Sequence, residues 1–287
     1  MPEAARVGDR HQCLHVDGNH PHVGGPIEAP ASTTVMTGHR PQARAGDRCR
    51  CDGPPSFITT GASTVHVDGR PAARVGDHTM HMPPGAVTAG LGSVHIGGPA
   101  EGGTLGVGDM GTALCLDAAA TRISGDTMQS YGNCGVESAR QIINRHRRPP
   151  VHESDLLNEA IERGEASEHR DAVHRGSTSP EQRRRLLSRY GVESDLVPNR
   201  LTNIVQAVAE GRGVISSHVS GILWNTTDTS GHAVLVTGIK FDAHGRVESV
   251  TINDSGRGRC SDPIPGERFV RSLRPEMKAV ITRGSIR

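Results

Sequence analysis

Cys134 is the residue of this sequence best placed for nucleophilic chemistry. It closes the segment QSYGNC (residues 129–134) and precedes a stretch in which Val136, Ala139 and Ile143 recur at helical spacing. A thiol at the start of a helix lies near the positive end of the helix dipole, which favours the thiolate. The position therefore predicts a cysteine nucleophile, although a lone cysteine is more often a small core residue.

His232 and Asp254 are predicted to supply the general base and the group that orients it. His232 begins the most apolar predicted strand, and Asp254 ends the strand that follows the turn at residues 242–245. A regular hairpin around this turn pairs residues whose numbers add up to about 487, and those of His232 and Asp254 add up to 486. The two side chains should be neighbours, so that the carboxylate fixes the tautomer of the imidazole.

Two further residues bear on this site. Gln129, five residues before Cys134, is predicted to donate its amide N–H to a developing oxyanion, with the backbone N–H of Cys134 as second donor. His218, on a strand with polar neighbours, is a weaker alternative base. Each residue alone has an ordinary structural interpretation, so the hypothesis of catalysis depends on their order and register.

A repeat in the first third of the chain indicates a metal site. The string Ala-Arg-x-Gly-Asp occurs three times, and the fourth residue after each aspartate is Cys13, Cys51 or His81. His11, two residues after the first aspartate, is predicted as the fourth ligand. The result is a closed tetrahedral Cys2His2 set of the kind that structural zinc prefers.

The remaining cysteines are less clear. Cys49 holds the same place in the second copy as His11 in the first, so it could replace His11 or lie outside the ligand set. Six cysteines are too few and too clustered for the disulfide framework of a small secreted domain. Cys115 and Cys260 are therefore predicted to be packing residues.

The elements that position these residues change in type along the chain. Residues 1–98 are enriched in glycine and proline and show strands and turns without helical spacing, and residues 99–112 have the Gly-rich, aperiodic composition of a linker. In residues 113–287 helical spacing precedes strands, which is an α+β order. Within it, Ser179–Gln182 predicts a capping box for a helix that ends before Gly191.

Composition excludes some function classes. The net charge is +1, from 32 basic and 31 acidic side chains that are interspersed, so nucleic acid is not expected as a partner. No stretch of 18 apolar residues occurs, and the N-terminus lacks the apolar core of a signal peptide. We therefore expect no membrane span and no use of the general secretory route.

The N-terminal motifs resemble PAAR-repeat proteins. The resemblance extends over about residues 1–98 and is carried by ARVGD (5–9), HQC (11–13), HVGGPI (22–27), CDGPPSFI (51–58) and a second ARVGD (73–77). It implies an all-β cone with a three-fold pseudo-repeat and a zinc-capped tip, seated on the trimeric, VgrG-like spike protein of a type VI secretion system. C-terminal extensions of such cones are often effectors.

The C-terminal motifs resemble the papain-like superfamily, especially C39-type peptidases. QSYGNCGVES (129–138), GHAVLVTGI (231–239) and NDSG (253–256) carry this resemblance. It implies an α+β papain-like domain in which Cys134 is the nucleophile, His232 the general base and Asp254 its orienter. Gln129 would be the oxyanion donor.

Together the two resemblances imply a type VI effector. It would be made in the cytoplasm of the producer and secreted by the type VI machinery into a target bacterium, where its cysteine protease domain cleaves a protein substrate as a toxin. A cognate immunity protein would protect the producer. The alternatives are a glutamine deamidase or transamidase, a peptidoglycan amidase, and a non-enzymatic spike tip whose second domain only binds.

Overall fold

The computed structural model describes residues 1–108, 115, 132–172 and 174–286. The chain divides into two compact units: Met1–Leu105 with Lys240–Glu248, and Gly106–Ile239 with Ser249–Arg287. The boundary between residues 105 and 106 lies inside the segment 99–112 that has a linker composition. The described part of that segment contains two short strands, which its Gly-rich sequence did not indicate.

Short strands build the N-terminal unit, because frequent glycines and prolines interrupt both helices and long strands. Up to residue 106 the strands are β1 (Glu3–Ala4), β2 (His11–Gln12), β3 (Val16–Asp17), β4 (His20–Pro21), β5 (Gly24–Ile27), β6 (Met36–Thr37), β7 (Arg40–Pro41), β8 (Arg48–Cys51), β9 (Ser56–Phe57), β10 (Thr60–Val67), β11 (Arg70–Ala72), β12 (His78–Thr79), β13 (Gly85–Val87), β14 (Leu91–His95), β15 (Ala100–Gly102) and β16 (Thr104–Gly106). They form small antiparallel sheets, among them β5-β8-β9, β12-β13-β2 and β11-β10-β15.

Three alanines, one from each repeat copy, close a ring of backbone hydrogen bonds. The N–H of Ala5 donates to the carbonyl of Ala73, that of Ala73 to Ala43, and that of Ala43 to Ala5, over 2.9 to 3.0 Å. All three residues are fully buried. The predicted three-fold pseudo-repeat of an all-β unit is thereby confirmed.

The turn of each repeat copy also contains a buried Arg–Asp pair. The pairs Arg6–Asp9, Arg44–Asp47 and Arg74–Asp77 are 3.0, 3.0 and 3.1 Å apart. Each carboxylate also accepts the backbone N–H of its own arginine. A buried charge is tolerated when it is both paired and hydrogen-bonded, so arginine and aspartate recur together. The glycine between them has a φ of 87°, 90° or 89°, which explains why it recurs as well.

The C-terminal unit consists of helices and one sheet whose strands differ in length. The helices are α1 (Cys134–His146), α2 (Glu153–Glu162), α3 (Pro180–Arg189), α4 (Leu201–Ala209), α5 (Ser220–Trp224) and α6 (Gly266–Ser272). The strands are β17 (Ser194–Pro198), β18 (Arg212–Val219), β19 (Gly231–Phe241), β20 (Val247–Asp254), β21 (Arg259–Pro265) and β22 (Lys278–Ser285), and they lie in the order β17-β22-β18-β19-β20-β21. Among the described residues, no helix combines the length and the apolar character that crossing a membrane requires.

The core of this unit lies between the helices and the sheet. Its buried apolar side chains include Val136, Ala139, Ile142 and Ile143 of α1, Leu156 and Leu157 of α2, Leu186 and Leu187 of α3, and Ile215, Leu235 and Val280 of the sheet. The apolar face predicted for the helix that follows Cys134 is thus confirmed as core. The capping box is confirmed too, since Ser179 and Gln182 exchange both side-chain-to-backbone hydrogen bonds and the helix ends before Gly191.

A disulfide joins Cys115 to Cys260 in the C-terminal unit. This corrects the prediction that the two cysteines only pack. Their separation of 145 residues leaves no local signature, and the total of six cysteines includes four that stay free. The bond links Cys115 to β21, the strand beside the one that ends at Asp254.

Candidate active site and metal centre

The start of α1 positions the thiol of Cys134. The preceding residue, Asn133, is buried and donates its side-chain amide to Glu153 of α2 at 3.1 Å, which anchors the helix start. The backbone N–H of Ala233 in β19 donates to Cys134 Sγ at 3.3 Å. The sulfur therefore lies at the positive end of a helix and accepts a backbone hydrogen bond, and both features favour the thiolate.

His232 and Asp254 are hydrogen-bonded neighbours, as the hairpin arithmetic predicts. Nε2 of His232 lies 2.8 Å from Oδ1 of Asp254, and the same oxygen accepts the N–H of Gly256 at 2.8 Å. The carboxylate is fully buried, and the imidazole side chain is 12% exposed. Because the carboxylate accepts from Nε2, that nitrogen carries the proton, and Nδ1 is left for the thiol.

The charges of this site shift two pKa values toward an ion pair. Burial alone would lower the pKa of His232, but the charges of Asp254 and Cys134 outweigh it and raise that pKa well above its ordinary value. Burial would also raise the pKa of the Cys134 thiol, yet His232, Arg183 and the Ala233 N–H together lower it. The pair can therefore exist as thiolate and imidazolium, the form in which a cysteine is a strong nucleophile.

His218 is not placed to act as the base. It lies opposite His232 in the β18–β19 ladder, but its Nε2 bonds the Ser216 hydroxyl at 2.7 Å and its Nδ1 bonds the Ser272 hydroxyl at 2.8 Å. Burial lowers its pKa to about 3, so the ring stays neutral. Gln129 lies outside the described residues, and its role as oxyanion donor stays a prediction.

Asn253 ties the strand of Asp254 to the helix of Cys134. Its amide donates to Gln141 of α1 at 2.9 Å, and its oxygen accepts the N–H of Ser261 at 2.8 Å. Both amide side chains are buried. The contact fixes the helix that begins at Cys134 relative to the strand that ends at Asp254. Only the position of Asn253 beside Asp254 could have indicated this role from the sequence.

The single tryptophan borders the imidazole. The ring centroids of Trp224 and His232 are 6.1 Å apart at an interplanar angle of 67°. The guanidinium of Arg257 lies 5.0 Å from the Trp224 centroid. An aromatic ring therefore borders His232 and a cation lies over that ring, a feature that no sequence motif predicted.

In the N-terminal unit, two cysteines and two histidines converge. Cys13, His22, Cys51 and His81 each offer one donor atom, and these atoms all lie within 4.8 Å of one another. Cys13 Sγ is 3.2 Å from His81 Nδ1, and Cys51 Sγ is 3.6 Å from His22 Nδ1. The structure thus brings together the three predicted ligands at equivalent repeat positions, but adds His22 as the fourth and not His11.

His11 is not a member of this cluster. Its ring is buried, with Nε2 bonded to the Arg50 carbonyl at 2.8 Å and Nδ1 to the Thr79 hydroxyl at 3.3 Å. Thr79 and Cys49 occupy the same place in the other two copies and are also fully buried. These three side chains therefore lie in the interior of the N-terminal unit, while the residues two positions further on, Cys13, Cys51 and His81, belong to the cluster.

His22 enters the cluster from the excursion that contains β3 and β4. Its Nε2 lies 3.2 Å from Asp17, which also bonds His15, so a carboxylate orients the ring and turns Nδ1 toward Cys51. A Cβ at Gly53 would lie 2.8 Å from the His22 ring, so only glycine leaves room for it. His22 was not predicted as a ligand because it lies outside the repeated positions, although it begins the HVGGPI motif.

The donor chemistry of this cluster fits a tetrahedral cation. Two thiols and two imidazoles are the donors that structural zinc takes, and Cys13, Cys51 and His22 are buried. Burial and the neighbouring histidines lower the pKa of His81 to about 4, so its imidazole is neutral and can donate a lone pair. His81 also holds a φ of 113°, a backbone conformation that costs free energy for a residue with a Cβ and is typical of functional sites.

Several solved structures are similar to this chain, two of which follow. One is a protein described as a C39-like peptidase from Bacillus anthracis, at 15% identity and a TM-score of 0.40, with 58% of this chain and 94% of the other covered. The second is a double glycine motif protease from an AMS/PCAT transporter, solved in complex with the leader peptide, at 16% identity and a TM-score of 0.34, with 58% and 96% covered. The chemistry inferred for Cys134 rests on the distances given above.

Among curated proteins, none matches this chain. The family model described as the PAAR motif matches residues 17–87. This segment includes His22, Cys51 and His81 of the cluster and the second and third copies of the repeat. The N-terminal unit of this protein therefore carries a PAAR motif.

Proposed function

We propose that this protein is a type VI secretion effector, in which a PAAR spike tip carries a cysteine protease that acts as a toxin in a target bacterium. The observation that carries the enzymatic part is the convergence of Cys134 at the start of α1, the Ala233 N–H on its sulfur, and His232 hydrogen-bonded to Asp254. The PAAR motif supports the secretion part, because such domains sit on a trimeric, VgrG-like spike. A cognate immunity protein would protect the producer.

The proposed reaction is cleavage of a peptide bond. Sγ of Cys134 attacks the carbonyl carbon, a C–S bond forms, and negative charge moves to the oxygen, where the Cys134 N–H and the Gln129 amide are the proposed donors. Collapse breaks the C–N bond, and the imidazolium of His232 gives its proton to the leaving amine. Water then attacks the thioester and gives a proton to His232. Collapse of this second intermediate breaks the C–S bond, which releases the acid and restores the ion pair.

The cluster at the tip is proposed to bind one structural zinc through Cys13, His22, Cys51 and His81. Four protein donors complete a tetrahedral shell and leave no position for a substrate. The metal would therefore act in folding, by joining strands from all three repeat copies where the unit has little apolar core.

The disulfide favours the periplasm as the place of action. Disulfides persist in oxidising compartments, of which the bacterial periplasm is one, and are reduced in the cytoplasm. Cys115 and Cys260 would be thiols in the producer and would pair after delivery. The enzyme would then reach its full stability only in the target cell.

Expression of the full chain in a susceptible bacterium, with and without a periplasmic signal peptide, tests this function. We expect toxicity with the signal, shortened protein chains in the proteome, and loss of both effects in Cys134→Ala. A gain of about 1 Da at glutamine side chains would instead indicate deamidation by the same thiolate. Shortened peptidoglycan peptides would indicate an amidase.

A matched control uses the free cysteine outside both sites. Cys49→Ser changes a buried thiol of the N-terminal unit, far in sequence from the proposed nucleophile, and should remain toxic at equal expression. If Cys134→Ala is as toxic as the wild type, the protein is not a cysteine hydrolase toxin.

A further inference from the structure

A buried arginine in the C-terminal unit has only neutral partners. Arg183 of α3 is 4% exposed. Its guanidinium donates to the Thr178 hydroxyl at 3.0 Å, the Thr178 carbonyl at 3.1 Å and the Ser217 hydroxyl at 3.1 Å. Among the described residues, none of its hydrogen bonds reaches a carboxylate. Three good hydrogen bonds fix the guanidinium in place but leave its charge uncompensated.

The other buried arginines of the described residues show what is missing. Each of them pairs with a carboxylate: Arg6 with Asp9, Arg44 with Asp47, Arg74 with Asp77 and Arg140 with Glu137. A guanidinium cannot shed its proton in a protein, and a buried charge without an opposite charge costs several kcal/mol. Arg183 therefore needs a nearby anion, and no carboxylate among the described residues is hydrogen-bonded to it.

The place of Arg183 in the fold identifies that anion. A Cβ added to Gly135 would lie 2.7 Å from Arg183 Nε, so the guanidinium packs against the backbone of the residue that follows Cys134. Ser217, its second anchor, lies opposite Ala233 in the β18–β19 ladder, and the Ala233 N–H donates to Cys134 Sγ. Arg183 thus packs against the residue that follows Cys134 and hydrogen-bonds the strand that pairs with β19.

We propose that Arg183 is a positioning residue of the active site, which keeps a permanent positive charge behind Cys134 and stabilises its thiolate. The inference rests on the proposed role of Cys134 as the nucleophile. Gly135 is part of the same arrangement, because any side chain at this position would displace the guanidinium.

The charges around the sulfur agree with this placement. Two cationic side chains act on Cys134, His232 from β19 and Arg183 from α3. Burial lowers the pKa of Arg183, and Cys134 is the leading charge that opposes this effect, ahead of Glu181. The charge of His232 changes during the proposed reaction, whereas Arg183 keeps its own throughout. The arginine therefore acts on the sulfur alongside the imidazolium when the thiolate leaves the thioester.

Alkylation of the full-length protein tests the proposal. Iodoacetamide rates at Cys134 would be followed by mass spectrometry of its peptide from about pH 4 to about pH 9 in Arg183→Gln, Arg183→Lys and Arg185→Gln, the last an exposed arginine of the same helix. We expect Arg183→Gln to react about tenfold more slowly at acidic pH, with its profile moved to higher pH. Arg183→Lys should recover most of the rate, and Arg185→Gln should match the wild type.

The possible failures are distinguishable. If folded Arg183→Gln has the wild-type profile, Arg183 has no electrostatic role, and the function proposed for Cys134 is untouched. If wild-type Cys134 reacts no faster than the unfolded chain at acidic pH, the proposed function itself fails. Should Arg183→Gln not fold, Arg183→Lys decides, because a folded lysine variant that has lost the acidic reactivity overturns a role for the charge.

Discussion

In the candidate active site, Cys134, His232 and Asp254 differ in charge, and each charge has a separate effect. Cys134 gains its negative charge next to an imidazole whose pKa is raised, and Asp254 keeps that imidazole protonated and oriented. Because the thiol pKa is lowered, the ion pair exists between the two pKa values. Reactivity should fall as pH drops through the thiol pKa.

His232→Ala and Asp254→Asn separate the two effects. Removing the imidazolium should raise the thiol pKa toward the value of about 8.5 of a free cysteine, so alkylation at acidic pH slows and activity is lost. Asp254→Asn should leave the thiol reactive but lower activity by orders of magnitude, because an amide does not stabilise the imidazolium. Iodoacetamide labelling across pH measures the first effect and a peptidase assay the second. Identical labelling profiles of wild type and His232→Ala would contradict the ion pair.

His22 and His11 make opposite predictions for metal binding. His22→Ala removes a proposed ligand and should lower the zinc content of the purified full chain below one ion per molecule. His11→Ala should keep the metal and lose about 1 kcal/mol of stability, because it breaks a buried hydrogen bond to the Arg50 carbonyl. Elemental analysis and thermal unfolding check both variants. Zinc that is lost in His11→Ala but retained in His22→Ala would assign the fourth ligand to His11.

Repetition explains which ligands were predictable. Cys13, Cys51 and His81 could be predicted from spacing, because each is the fourth residue after the aspartate of its own repeat copy and so occupies an equivalent position. His22 belongs to one copy only, in an excursion that its own carboxylate, Asp17, holds in place. A contact made by an insertion has no equivalent elsewhere in the chain with which to compare it.

At the scale of elements, the alanine ring limits what the N-terminal unit tolerates. Ala43→Val adds two methyl groups where three backbones meet and where Ala43 is fully buried. Overpacking of this kind costs about 1 to 3 kcal/mol. Met36→Val, at a strand position that is 60% exposed, should change stability by less than about 0.5 kcal/mol. Chemical denaturation of the full chain measures both, and equal effects would mean that the ring is not tightly packed.

Secondary structure with local causes was predictable, and structure with distant causes was not. Apolar spacing identified the buried face of α1, and the single turn between β19 and β20 brought His232 to Asp254. The strands β15 and β16 arise in a Gly-rich segment whose composition indicates a linker. Their pairing depends on partners elsewhere, which no local pattern contains.

At the scale of the whole molecule, the disulfide between Cys115 and Cys260 joins residues that are 145 positions apart in the sequence. Closing a loop of 145 residues lowers the entropy of the unfolded chain and stabilises the fold by up to about 5 kcal/mol. Reductant should therefore lower the unfolding temperature of the wild type. A double variant, Cys115→Ser with Cys260→Ser, should start from the lower temperature and not respond to reductant. A wild type that unfolds at the same temperature with and without reductant would contradict this.

The same loop determines which fragments of a proteolytically cut chain separate in electrophoresis. Cys134, His232 and Asp254 all lie between the two bonded cysteines in sequence. One cut inside the loop leaves two pieces that stay covalently joined, so a nicked molecule keeps its nominal mass and all three residues until it is reduced. One cut before residue 115 frees the cone segment at once. Denaturing electrophoresis with and without reductant can therefore tell a cut inside the loop from a cut before residue 115.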